Sequence, residues 1–290
     1  MEDRLRKFAY LVDAGSFTKA AAELRLSQPA LSTAIAKLER ELKTALFVRG
    51  SRPLAPTPAG QIAYQTAKAL SVQTENLRLR LAELAHERVS LKIGMIDALF
   101  ASGDDLGMLE GAEVSIVVNN SRYLTDAVER GDLDLAFIVA SSRKPPSLLE
   151  AQPIGAEPLV VVCHPSRHAS PSVHIPDFIS YDQPSNTHKL IQKALTSYGV
   201  TAQTTIYSTS PEVMLRLVLQ NKGVAALPYI MVRHYLEAGE LKRLGGKQPW
   251  LIQRQVVAIK RRDKELPQVL SQLSKQVAAT VDDLMAQAAR

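Results

Sequence analysis

The chain has 290 residues, enough for two or three domains, and 46% of them are hydrophobic, which excludes wholesale disorder. Its one cysteine, Cys163, excludes internal disulfides and any multi-cysteine metal site, and fits a reducing cytosol. The formal charge of +6 is concentrated: residues 1–90 hold 14 Lys+Arg against 9 Asp+Glu, the remainder 21 against 20, the asymmetry a polyanion-binding N-terminal module requires. No charged-then-apolar leader precedes Phe8 and no apolar run approaches roughly 18 residues. Neither secretion nor a membrane span is expected, and the expected location is cytoplasmic.

Residues 3–14 read as a helix with Leu5, Phe8, Ala9, Leu11 and Val12 on one side and Ala14-Gly15 closing it. Ser16 to Leu42 reads as two short helices joined by a tight turn. The first covers about Phe17 to Leu24. The second opens at Ser27, whose hydroxyl can cap free N–H groups, with Pro29 in the first turn where its missing N–H costs nothing. Leu31, Ala34, Ile35, Leu38 and Leu42 form one apolar stripe, while Gln28, Ser32, Thr33, Lys37 and Arg40 occupy the other face. This is the pattern of a helix-turn-helix recognition helix. The three helices are predicted to share a core of Phe8, Leu11, Phe17, Ala21, Leu24, Leu31, Ile35 and Leu38. Leu46 to Arg49, the turn Gly50-Ser51-Arg52-Pro53 and Leu54 to Thr57 predict a small β-ribbon, the wing of a winged helix. Its Arg49 and Arg52 would project towards phosphates or the minor groove. The predicted DNA-contacting set is Ser27, Gln28, Pro29, Ser32, Thr33, Lys37, Arg40, Arg49 and Arg52. Gln28 is suited to a bidentate bond with adenine, and Lys37 and Arg40 to phosphates.

Thr57-Pro58, an N-cap followed by a first-turn proline, opens a helix that continues to about Glu87. Ala63, Ala67, Leu70, Thr74, Leu77, Leu81 and Leu84 alternate spacings of four and three, a coiled-coil-like seam. A helix this long cannot bury its seam alone, so Ala63, Ala67, Leu70, Leu77, Leu81 and Leu84 are expected at a dimer interface. From Ser90 short β-branched runs alternate with helical segments, which predicts mainly parallel sheets with helices on both faces. The expected strands are 91–96, 113–119, 133–139, 158–164, 177–181, 204–207, 224–227 and 254–260. The fold class is therefore α/β: an N-terminal winged helix-turn-helix, a long linker helix, then two α/β lobes with a cleft between them. The expected boundaries are 1–58, 59–88 and 89–290, with lobe I at about 89–160 plus 265–290 and lobe II at about 161–264.

Enzymatic readings find little support. Asp132 and Asp134 flank Leu133 on what alternation makes an outer face, the six histidines show no metal spacing, and no Gly-rich phosphate loop or nucleophile elbow is present. Cys163 reads as a small buried apolar residue. No catalytic residue, metal or cofactor is expected.

The run Gly15-Ser16-Phe17-Thr18-Lys19-Ala20-Ala21, Ser27-Gln28-Pro29-Ala30-Leu31-Ser32, Leu38-Glu39, Leu46-Phe47, Arg49 and Ala59-Gly60 resembles the N-terminal signature of LysR-type transcriptional regulators. Later stretches, Leu91-Lys92-Ile93-Gly94, Gly131 to Ala136, His164-Pro165 and Gly223 to Pro228, are similar in the family's order. The resemblance implies a winged helix-turn-helix, a dimerising linker helix and a periplasmic-binding-protein-like effector domain. It also implies a homodimer or homotetramer on an inverted-repeat DNA operator, with RNA polymerase as a further partner. The effector would be held by Asp97, Ala98, Leu99, Asn119, Asn120, Ser121, Val139 and Ala140 of one lobe, and by Asn186, Thr187, Thr209 and Ser210 of the other. The segment Phe100 to Ala112 is shorter than the family's usual helix there. Two rivals stand beside this reading: a solute-binding or enzymatic two-lobed domain with an adaptor, and a nucleoid-type protein binding DNA by charge alone.

Overall fold

The computed structural model describes residues 1–48, 50–51, 54–85, 87–96, 99, 112–141, 145–167, 174–245 and 250–289. The chain divides into two units, Met1–His86 with Asp263–Glu265, and Glu87–Arg262 with Leu266–Arg290.

The first unit is built on four helices: α1 (Glu2–Ala14), α2 (Phe17–Glu23), α3 (Gln28–Leu42) and α4 (Pro58–Ala85). Gly15, at φ 64°, ends α1 with its amide on the carbonyls of Leu11 and Val12, a left-handed cap that glycine adopts without steric cost. The core contains Phe8, Leu11, Ala21, Leu31, Ile35 and Leu38 as expected, joined by Leu46. Phe17 and Leu24 pack only against its edge. Ala63 and Ala67 belong to this core as well, because α4 lies against α1 and alanine permits close approach. The lower end of the seam on α4 is thus internal to the unit, a correction to the dimer set. Leu70, Leu77, Leu81 and Leu84 remain exposed, Leu84 at 79%.

The second unit carries one mixed sheet whose described strands run β1 (Val89–Met95), β2 (Ala112–Val118), β3 (Leu135–Val139), β4 (Leu149–Cys163), β5 (His174–Tyr181), β6 (Thr201–Ser208), β7 (Val224–Pro228), β8 (Lys242–Arg243) and β9 (Leu251–Arg261). Its helices are α5 (Ser121–Arg130), α6 (Asn186–Ser197), α7 (Pro211–Leu219), α8 (Tyr229–Glu237) and α9 (Gln268–Ala288). The spatial order is β2-β1-β3-β9-β4-β7-β5-β6, with β8 on β4. Pairings β1–β2, β1–β3, β5–β6 and β5–β7 are parallel, whereas β9 pairs antiparallel with both β3 and β4, and β4 with β7.

Two hydrophobic cores share this sheet. One gathers β1, β3, α5 and α9 around Ile93, Phe137 and Leu273. The other gathers β5, β7, α6 and α7 around Phe178, Ile191 and Met214. β4 and β9 serve both. Leu149 lies in the first core and Leu159–Cys163 in the second, while Ile252 lies in the second and Val256 in the first. The parallel pairings of β1 with β2 and β3, and of β5 with β6 and β7, are those expected; the antiparallel β4 and β9 that join the lobes, and the antiparallel partners they take in each, are not. The first half of β4, with Ala151, Gln152 and Pro153 exposed and a register shift between Pro153 and Gly155, lacks the apolar run that announces its second half. Among the described residues no helix is long and apolar enough to cross a membrane.

Candidate nucleic-acid interface and interlobe cleft

The turn between α2 and α3 is made by Leu24, Arg25 and Leu26. Arg25 takes a left-handed φ of 54°, and the Leu26 amide returns to the Ala21 carbonyl at 2.9 Å. Ser27 then caps α3, its Oγ accepting from the Ala30 amide at 3.3 Å. With Leu31, Ile35 and Leu38 buried on one side, Gln28, Pro29, Ser32, Thr33, Lys37 and Arg40 stand together on the exposed side. The helix presents amide, hydroxyl and cationic groups at its N-terminal end and along one face, the set needed for base edges and phosphates. The Arg4 guanidinium beside Glu41 holds that carboxyl below its ordinary range and ties α1 to the far end of α3.

After α3 the chain forms the short ribbon expected. Phe47 and Pro56 pair as an antiparallel bridge, and the Val48 amide donates to Ala55 O at 2.9 Å. Phe47 packs its ring against Phe8 (5.1 Å between centroids) and Phe17 (6.3 Å), which seats the ribbon on the helical core. Arg49 and Arg52 lie outside the described residues.

In the second unit the candidate effector residues lie at the carboxyl ends of strands and the starts of helices, where open α/β sheets bind ligands. Asp97, Ala98 and the shortened segment 100–111 lie outside the described residues. Leu99 and Val139 are buried, and their side chains pack in the core of the first lobe. Asn120 caps α5 through the Tyr123 amide at 3.0 Å, and Asn119 Oδ1 accepts from the Asn120 amide at 2.9 Å. Ser121 Oγ accepts from the Val139 amide at 3.1 Å, tying α5 to the end of β3, and the Ala140 amide donates to the Gln255 carbonyl at 2.8 Å. On the second lobe Asn186 opens α6, capped by Ser185. Ser210 caps α7 through the Val213 amide at 3.4 Å, and Thr209 before it is exposed.

Thr187 differs from these. It is buried, and its Oγ1 accepts from Arg254 Nη1 at 3.3 Å. Arg254 on β9 faces its register partner Glu157 on β4, where the two strands cross between the lobes. Arg254 Nε donates to Glu157 Oε2 at 2.8 Å, Nη2 reaches the same oxygen, and the side chains are 4% and 1% exposed. Burial pulls the guanidinium's pKa down, but Glu157 and the nearby Tyr181 outweigh it and hold the pKa above the ordinary arginine value. Periodicity does not find this pair: Arg254 lies between Gln253 and Gln255, and Glu157 precedes the apolar run Leu159–Cys163, so neither charge interrupts an apolar pattern. Nearby, Ser180 Oγ lies 2.8 Å from His188 Nδ1, and Gln183 donates to the Tyr207 hydroxyl at 3.1 Å.

The acidic pair considered for catalysis is engaged elsewhere. Asp132 takes Arg130 Nε at 2.7 Å, and Asp134 Oδ2 accepts the Lys92 amide at 2.8 Å. Burial pushes the Cys163 thiol pKa up, against the pull of Lys242 and Arg167, which leaves it a poor nucleophile. Among the described residues no group of His, Cys, Asp and Glu is placed to hold a metal.

Residues 3–61 match the family model for bacterial regulatory helix-turn-helix proteins of the lysR family, and residues 110–282 the model for the LysR substrate binding domain. The nitrogen assimilation regulatory protein nac of Klebsiella aerogenes is 34% identical over 167 residues, 55% of this chain and 54% of that one, so the match spans about half of the relative's length. A probable RuBisCO transcriptional regulator of Cyanidioschyzon merolae is 30% identical over 215 residues, covering 68% of this chain and 70% of its own. Among solved structures, ArgP from Mycobacterium tuberculosis shares the fold, with a TM-score of 0.67 at 18% identity over 97% of each chain. With both family models in order along the helix-turn-helix unit and the two-lobed unit, the chain belongs to the LysR-type transcriptional regulator family.

Proposed function

We propose that this chain is a sequence-specific DNA-binding transcription regulator whose operator binding is set by a small-molecule effector held between the two lobes. In this reading residues 1–58 read DNA, residues 59–88 pair two subunits through Leu70, Leu77, Leu81 and Leu84, and residues 89–290 sense the effector. It works in the cytoplasm without catalysing a reaction. The effector contacts in this reading are Asp97, Ala98, Leu99, Asn119, Asn120, Ser121, Val139 and Ala140 from the first lobe. Asn186, Thr187, Thr209 and Ser210 come from the second.

One observation carries the reading: Gln28, Ser32, Thr33, Lys37 and Arg40 share the exposed face of a capped helix whose opposite face is sealed into a core. Polar groups so placed can enter a major groove without any rearrangement of the fold. Dimeric pairing makes an inverted-repeat operator the expected target, and effector binding then shifts the population between two assemblies. The test is a gel-shift titration of the full-length chain on duplexes that it enriches from a random-sequence pool. Gln28→Ala and Ser32→Ala should each weaken binding by roughly tenfold while the melting temperature stays put. Unchanged affinity in both variants would sink the assignment of α3 as the reading helix.

A further inference from the structure

We infer that Glu39 is the positioning residue that sets the wing's place relative to the recognition helix, and so contributes to operator recognition without touching DNA. The inference rests on the proposed DNA-binding reading. Glu39 sits on α3 between the predicted phosphate contacts Lys37 and Arg40, where a carboxylate is electrostatically unwelcome beside a polyanion. It is half-buried, and its Oε1 accepts the Leu46 backbone amide at 2.7 Å.

Leu46 is the residue at which the wing leaves the core. Its side chain is fully buried, and its carbonyl accepts the Thr57 amide at 2.9 Å. The Thr57 hydroxyl donates to the Ala45 carbonyl at 2.8 Å and accepts the Gly60 amide at 3.0 Å. Gly60 comes so close that a Cβ there would lie 2.1 Å from the Leu46 oxygen. The root of the wing is therefore clamped on its carbonyl side by the start of α4 and on its amide side by Glu39 of α3. Only the second clamp comes from the helix that would read the bases. It transmits the orientation of α3 to the ribbon beginning at Phe47. Removing the acceptor would leave a partly buried amide unpaired and release the ribbon from the reading helix.

Charge and acceptor can be separated by two substitutions. Glu39→Gln keeps an oxygen that can take the Leu46 amide but removes the negative charge; Glu39→Ala removes both. With the full-length chain and a duplex it has enriched from a random pool, Glu39→Gln should bind at least as tightly as wild type, with the same hydroxyl-radical footprint. Glu39→Ala should bind about tenfold more weakly and lose protection at the outer edges of the footprint while keeping its centre. Hydrogen exchange of the peptide spanning residues 44–48, which needs no DNA, should accelerate in Glu39→Ala only. Equal behaviour of the two variants, whether both tighten or both weaken with an intact footprint, overturns the inference, as does unchanged exchange in Glu39→Ala. Failure of the wild-type chain to enrich any duplex would count against the DNA-binding reading, while the exchange measurement would still decide the role of Glu39.

Discussion

The candidate DNA-facing surface and the crossing point between the lobes solve opposite problems. Gln28, Ser32, Thr33, Lys37 and Arg40 come from one helix and remain in water, so each can be altered without disturbing the core beneath. Glu157, Tyr181, Thr187 and Arg254 come from β4, β5, α6 and β9, and all are buried. A surface meant for a polyanion needs charge and periodicity and little else. A polar group withdrawn from water needs its partners in place, because the desolvation cost is repaid only by good geometry. The first surface should therefore tolerate substitution and lose affinity, whereas the second should lose stability.

The sharpest way to break that contrast is Glu157→Ala, which strands the Arg254 guanidinium in a buried site. It should cost roughly 3–5 kcal/mol in urea unfolding, while the double change Glu157→Leu with Arg254→Met should recover most of the loss. A cost for the single variant near that of an exposed ion pair would show that the crossing point is wetter than its burial indicates. On the other surface, Lys37→Ala should leave the melting temperature unchanged and lower the salt dependence of DNA binding by about one counterion. A drop in stability with an unaltered salt slope would reverse its assignment. The smallest effect is expected at Lys43, which ends α3 in the left-handed region at φ 54°. Lys43→Gly should raise stability by about 0.5–1 kcal/mol, read as a higher melting midpoint, because glycine carries no Cβ penalty there.

Much of the first unit was legible because its signals are local. The Ser27 cap, Pro29 and the spacing Leu31–Ile35–Leu38 define α3 by themselves, and the same periodicity leaves Gln28, Ser32 and Lys37 outside. The seam on α4 shows where this reasoning runs out. Its four-and-three spacing is uniform, yet Ala63 and Ala67 are taken up by α1 while Leu77 and Leu81 are not. Which neighbour an apolar position meets is not written in its period. In the second unit the strand and helix order was legible. Among the candidate effector positions Asn120 and Ser210 also cap helices, since the same short polar side chains serve caps and ligands alike.

By itself, then, the sequence determined the class of each unit, the amphipathic split of α3 that leaves Gln28, Ser32 and Lys37 outside, and the order along the chain of most strands and helices in the two α/β lobes. These follow from hydrophobic period and cap chemistry within about a dozen neighbours. Only the tertiary structure decided three further things: that β4 and β9 run antiparallel through both lobes, that Glu157 meets Arg254 across 97 residues of chain, and that Glu39 holds the root of the wing. The first two depend on register between strands far apart in the chain, which is fixed by long-range packing that no local spacing encodes. The third depends on the path of the turn after α3, which brings the Leu46 amide back to the Glu39 carboxylate.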